Sequence, residues 1–118
     1  MRVLKINNRD YVLKFTSKSI QELNAQDITL TALIDDLQTM KVDKLYTTFM
    51  YGLKTMQPDM TMDKALDILD QYYEEDENND LEVFFTLVIE EYSKAMGLGK
   101  KFMETMAQQK AEPVQQKE

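Results

Sequence analysis

Five carboxylates punctuate the middle of the chain: Asp59, Asp63, Asp67, Asp70 and Glu74 lie 4, 4, 3 and 4 residues apart. On a helix that spacing gathers them on one face. Paired carboxylates act as general acid and base where burial or a charged neighbour has moved one pKa toward neutrality. A solvated stripe keeps ordinary pKa values, and no nucleophile accompanies this one, so catalysis is not its expected role. Like-charge neighbours at this spacing cost a few tenths of a kcal/mol each. The stripe reads either as a solvated face or as a docking face for a basic partner. Just downstream, Asp76, Asn78 and Asp80 alternate like the opening of a calcium loop. The sixth position is Leu81 where glycine is needed, and the twelfth is Leu87 where glutamate is needed, so calcium is not expected.

Two reactive residue types are missing. The chain has no cysteine and no histidine. That excludes disulfides, thiolate catalysis and cysteine-held zinc or iron–sulfur sites, and equally an imidazole base, a Ser-His triad or a His-ligated metal. The three glycines, Gly52, Gly97 and Gly99, sit in no phosphate-binding motif. No cofactor is expected. The net charge of −7 is unevenly placed: residues 59–91 carry −11, whereas 1–58 and 92–118 carry +2 each. No basic block exists to displace counterions from nucleic acid, and the acidic middle would repel phosphate. No apolar run approaches the roughly 18 residues of a membrane span. Lys5 interrupts Met1–Ile6 where a signal peptide needs its apolar stretch. A soluble, cytosolic protein is the expectation.

With chemistry of that kind excluded, surfaces matter more. Nine methionines are many for 118 residues. Met50, Met56, Met62 and Met96 fall on apolar stripes and read as core, whereas Met60, Met103 and Met106 are better candidates for a flexible surface that grips apolar segments. Tyr72 and Tyr73, beside the acidic run, read as an interface anchor or as one core and one surface ring. The candidate partner-binding residues are therefore Asp63, Asp67, Asp70, Tyr72, Tyr73 and Glu74, with Phe102, Met103 and Met106 nearer the C-terminus.

The elements that position these residues are set by periodicity. Val3–Ile6 and Tyr11–Phe15 are short β-type runs around Asn7-Asn8-Arg9-Asp10, where asparagine tolerates the positive φ of a tight turn. Such a hairpin is marginal alone and must lean on the helices beyond it, through Leu13 and Phe15. Ser19 to Glu22 has the capping-box form, with Thr16 or Ser17 as caps one turn earlier, and 24–27 ends that helix. Leu30, Leu33, Ile34, Leu37 and Met40 form an amphipathic stripe capped by Asp27 or Thr29. Leu45, Phe49, Met50, Leu53 and Met56 form another, closed by Pro58. Asp59 or Thr61 opens a helix with Met62, Ala65, Leu66, Leu69 and Tyr73 inward, and the charged run 74–80 reads as a loop. Asn79 restarts a helix along Leu81, Phe84, Phe85, Val88, Tyr92 and Met96, ended by Gly97. Leu98, Phe102 and Met106 make one weak further face. The fold expected is mainly α. A β-hairpin (1–15) packs on about five short amphipathic helices (16–106) in a single compact domain, and a polar disordered tail occupies 107–118.

This order of elements resembles the small tail assembly chaperones of long-tailed bacteriophages, particularly those of Gram-positive hosts. The likeness lies in a basic-apolar hairpin (Val3 to Phe15) running into a small helix (Thr16 to Asn24), amphipathic helices, an acidic gap, an apolar helix (Leu81 to Met96) and a polar, lysine-containing tail. It covers nearly the whole chain, although the hairpin turn lacks the glycine such proteins often carry. The resemblance implies a non-enzymatic protein of the infected bacterium's cytoplasm, absent from the mature virion. It implies binding to the tape-measure protein, keeping its apolar segments soluble, and recruitment of the major tail (tail-tube) protein. Self-association and a longer frameshifted form are also implied, with no catalytic or ligand residues to carry over. Two other readings remain open: an acidic DNA-mimic inhibitor of a host nucleic-acid-binding enzyme, and a small structural head–tail or tail virion protein.

Overall fold

A computed structural model of the chain describes residues 1–99. The expected tail and the residues Phe102, Met103 and Met106 lie outside the described residues. The chain begins with an antiparallel hairpin, β1 (Arg2–Ile6) and β2 (Arg9–Leu13), with Ile6 opposite Arg9 and Arg2 opposite Leu13. Asn7 and Asn8 take φ of 52° and 64°, which makes a two-residue turn of the mirror-image type that matches strand twist, without any glycine. Alternation sends Leu4, Ile6 and Leu13 into the core and leaves Val3 and Lys5 exposed.

Five helices come next: α1 (Ser17–Asn24), α2 (Leu30–Gln38), α3 (Asp43–Lys54), α4 (Met62–Glu75) and α5 (Leu81–Ala95). Hydroxyl caps start three of them. Thr16, Thr29 and Thr61 each accept the backbone N–H three residues on, and Thr16 with Ser19 completes a capping box one turn earlier than the Ser19–Glu22 pattern suggests. Asp80, not Asn79, caps α5, its carboxylate accepting the Val83 N–H at 2.9 Å. Helix α4 continues through Glu74 and Glu75, so the loop is shorter than the charge run suggests. At the far end of α5 the Gly97 N–H reaches Lys94 O and the Leu98 N–H reaches Ser93 O, with Gly97 at φ 79°. Asp27 and Met40 close α1 and α2 in the same way despite carrying a Cβ, with φ of 63° and 60°.

The hairpin does lean on the helices, chiefly on α3. Lys14 donates its N–H to Gly52 O at 2.9 Å. The Gln57 side-chain amide takes the place of a neighbouring strand: Oε1 accepts the Val12 N–H at 2.8 Å and Nε2 donates to Val12 O at 3.1 Å. Gly52 permits this approach, because a Cβ there would stand 2.5 Å from Leu13 Cδ1 and 2.7 Å from Phe15 Cζ. At the other end of the hairpin, Glu75 accepts the Asn7 N–H and Gln71 accepts from the Asn7 side chain, tying the turn to α4.

One apolar core runs through all these elements, with α5 supplying Phe84, Leu87, Val88, Ile89 and Tyr92. Each large side chain fully buried in this way contributes about 1.5–3 kcal/mol. The methionines sort differently from their sequence reading. Met60 is buried, while Met56 and Met96, placed on core stripes by periodicity, are exposed, and Met40 is two-thirds exposed. Both Met56 and Met96 stand just past the last turn of their helices. No helix among the described residues is long and apolar enough to cross a membrane.

Candidate partner-binding surface

Phe84, one turn into α5 and fully buried, is the hub of an aromatic cluster. Phe49 of α3 meets it edge-on at 4.9 Å between ring centroids. Tyr46, one turn earlier on α3, lies at 6.4 Å, and Tyr72 and Tyr73 of α4 each lie at 6.2 Å. The two neighbouring tyrosines also contact each other at 5.8 Å. These edge-to-face and tilted arrangements are the ones that ring quadrupoles favour.

Phe49 is sealed inside, but Tyr46, Tyr72 and Tyr73 are all half-buried, so neither adjacent tyrosine is purely core or purely surface. Among the described residues none of their three hydroxyls makes a hydrogen bond. Burial pushes the Tyr73 hydroxyl up to about 12, with smaller contributions from Tyr46, Tyr72 and the carboxylates of Asp80 and Asp70. Tyr72 is raised for the same first reason, then by Asp80, against the opposing field of Arg2. At neutral pH these phenols therefore remain proton donors. The loop beneath them is fixed by Asn79, whose side-chain amide donates to Tyr72 O at 2.9 Å, and by Asp76, which accepts the Asn78 N–H.

The structure brings Tyr72, Tyr73 and Asp70 together with two residues that the sequence does not single out as binding residues, Tyr46 and Asp80. Tyr46 lies three residues before Phe49, on the same helix face, but nothing local tells that this face meets α4 and α5. Asp63, Asp67 and Glu74 are exposed along α4, and among the described residues none of them forms an ion pair. Phe102, Met103 and Met106 lie outside the described residues.

A second polar cluster sits at the opposite end of α5. Glu91 has a side chain only 2% exposed, and it receives Met1's amino group at 2.9 Å, Lys94 Nζ at 3.2 Å and Arg2 Nε at 3.3 Å, while Arg2 also pairs with Glu90. Burial alone would raise its pKa; the hydrogen bonds from the amino group and Lys94 outweigh burial and hold it below the ordinary carboxylate value. Every oxygen of Glu91 is engaged, so this cluster is a structural clasp between hairpin and helix. Among the described residues no group of three or more acidic side chains is arranged to hold a metal.

The structure is a small helical body with a hairpin brace and a half-open aromatic surface beside carboxylates that form no ion pair among the described residues. A family model for the phage tail assembly chaperone protein matches residues 3–108, and the chain belongs to that family. Neither the comparison with curated proteins nor that with solved structures gives a match. The family is typically non-enzymatic, and membership points to tail proteins as partners.

Proposed function

We propose that the protein binds the tape-measure protein during tail morphogenesis, keeps its apolar segments soluble and helps recruit tail-tube subunits around it. The observation that carries this reading is the family match over residues 3–108. The physical character of the chain agrees with it. A holdase works through exposed apolar and aromatic surface, and a net charge of −7 keeps a loaded complex soluble. Weak contacts suffice, because a long client offers many sites and repeated engagement multiplies affinity. The protein acts in the cytoplasm of the infected bacterium and leaves before the virion is complete. A longer frameshifted form of the chain belongs to the same proposal.

Co-expression with the phage's tape-measure protein tests this. A clear rise in the soluble fraction of that protein is expected, together with absence of this chain from purified particles by mass spectrometry. A tape-measure protein equally soluble with and without the chain would overturn the proposal.

A further inference from the structure

We infer that the tyrosine cluster around Phe84, with the carboxylates of Asp70 and Asp80 beside it, is a docking surface for a peptide segment carrying an arginine among apolar side chains. This rests on the chaperone reading for its biological occupant but on the geometry for its chemistry. Tyr51 and Tyr92 show what the fold does with a tyrosine it uses structurally: Tyr51 OH accepts from Gln26 at 2.8 Å and Tyr92 OH donates to Asn24 at 3.1 Å. Tyr46, Tyr72 and Tyr73 are half-buried like Tyr51, but their hydroxyls have no partner among the described residues. Leu81 and Phe85 flank Phe84 along α5 and are likewise half-buried, which extends the apolar floor.

Charge selects the occupant. Among the described residues no cation pairs with Asp70, Asp76 or Asp80; Arg2, whose field reaches Tyr72, is engaged by Glu90 and Glu91, and the segment 59–91 carries −11 with Lys64 as its one base. An anionic or acidic ligand would be repelled. A cation over tyrosine faces is attracted by the ring quadrupole, and more so where water is partly excluded. Arginine suits this surface better than lysine, because a planar, weakly hydrated guanidinium stacks on a ring while its fork meets a carboxylate. Apolar residues on either side then cover the exposed ring edges and supply the hydrophobic part of the contact.

The test uses the full chain and three amphipathic peptides of leucine and alanine that differ only in carrying arginine, lysine or the uncharged isostere citrulline. Titration is followed by NMR of ring-labelled tyrosines, of which the chain has six and no tryptophan to interfere. The arginine peptide is expected to bind about tenfold more tightly than the citrulline peptide, with lysine between, and to shift Tyr46, Tyr72 and Tyr73 but not Tyr92. The double variant Asp70→Asn/Asp80→Asn should erase the difference between arginine and citrulline while folding normally, since asparagine caps a helix about as well as aspartate. Equal binding of the arginine and citrulline peptides, or shifts confined to other tyrosines, would overturn the inference. Failure of the chaperone reading looks different: the arginine peptide binds as described, yet the tape-measure protein gains no solubility from the chain.

Discussion

The two ends of α5 solve the same problem in opposite ways. At its C-terminal half Tyr92 is buried, tilted against Phe15 at 5.6 Å, and its hydroxyl is bonded; Glu91 beside it is surrounded by cations. At its N-terminal half Phe84 gathers three tyrosines whose rings are half-exposed and whose hydroxyls are unbonded among the described residues. Aromatic and acidic side chains are present at both ends. What differs is completion: one end is closed by the hairpin, the other stays half-open among the described residues. A buried polar group without partners is costly, so closure is required where water is excluded and optional where water reaches.

This contrast has measurable consequences, the largest first. Gly52→Ala strikes the closed end, because the new methyl collides with Leu13 and Phe15 in a filled core. Denaturant unfolding should show a loss of about 2 kcal/mol, even though alanine favours helix. Glu91→Gln should cost about 1.5 kcal/mol, less than for a fully buried pair because Arg2 and Lys94 can return to water. The wild type carries the matching pH signature. Glu91 has a lowered folded pKa, so its stabilisation is fully present above the ordinary carboxylate value and is lost as pH falls through the folded value. Thermal midpoints recorded from neutral to acid pH should fall less steeply in Glu91→Gln than in the parent.

The sharpest form of the comparison sets tyrosine against tyrosine. Tyr92→Phe removes a bonded hydroxyl and should cost about 1 kcal/mol, whereas Tyr72→Phe and Tyr73→Phe should stay within about 0.5 kcal/mol of the parent in the same unfolding assay. Equal losses at both ends would erase the distinction. The smallest effect is expected at Asp63, Asp67 and Asp70. Replacing all three with asparagine relieves like-charge neighbours on α4 and should raise stability by a few tenths of a kcal/mol. If tail assembly in the infected host is also unchanged, Asp63, Asp67 and Asp70 are all a solvated face, and the docking role of Asp70 fails with them.

Much of the local structure is readable from residue types alone. Asn7-Asn8 specifies the hairpin turn, Thr29 and Thr61 the helix starts, and Gly97 the end of α5, because each acts on backbone groups within a few residues. The tertiary choices are not readable in this way. Gln57 looks like a solvent residue before Pro58, yet it completes the sheet edge through Val12, forty-five residues away. Glu91 looks like one more surface acid, and its clasp depends on Arg2, eighty-nine residues distant. The candidate surface divides along the same line. Tyr72, Tyr73 and Asp70 are visible as an aromatic pair in an acidic run, whereas Tyr46 and Asp80 join them only because α3, α4 and α5 converge on Phe84. Met60 and Met56 exchange places for a related reason: periodicity reports a helix face, not whether another element covers it.

Hydrogen exchange of the chain, measured alone and with its tape-measure protein, tests the open end most directly. Binding at the aromatic surface predicts slowed exchange at the end of α4 and the start of α5, residues 70–85, with the Glu91–Tyr92 region unchanged. A complex that forms while amides 70–85 exchange as fast as in the free chain would contradict it.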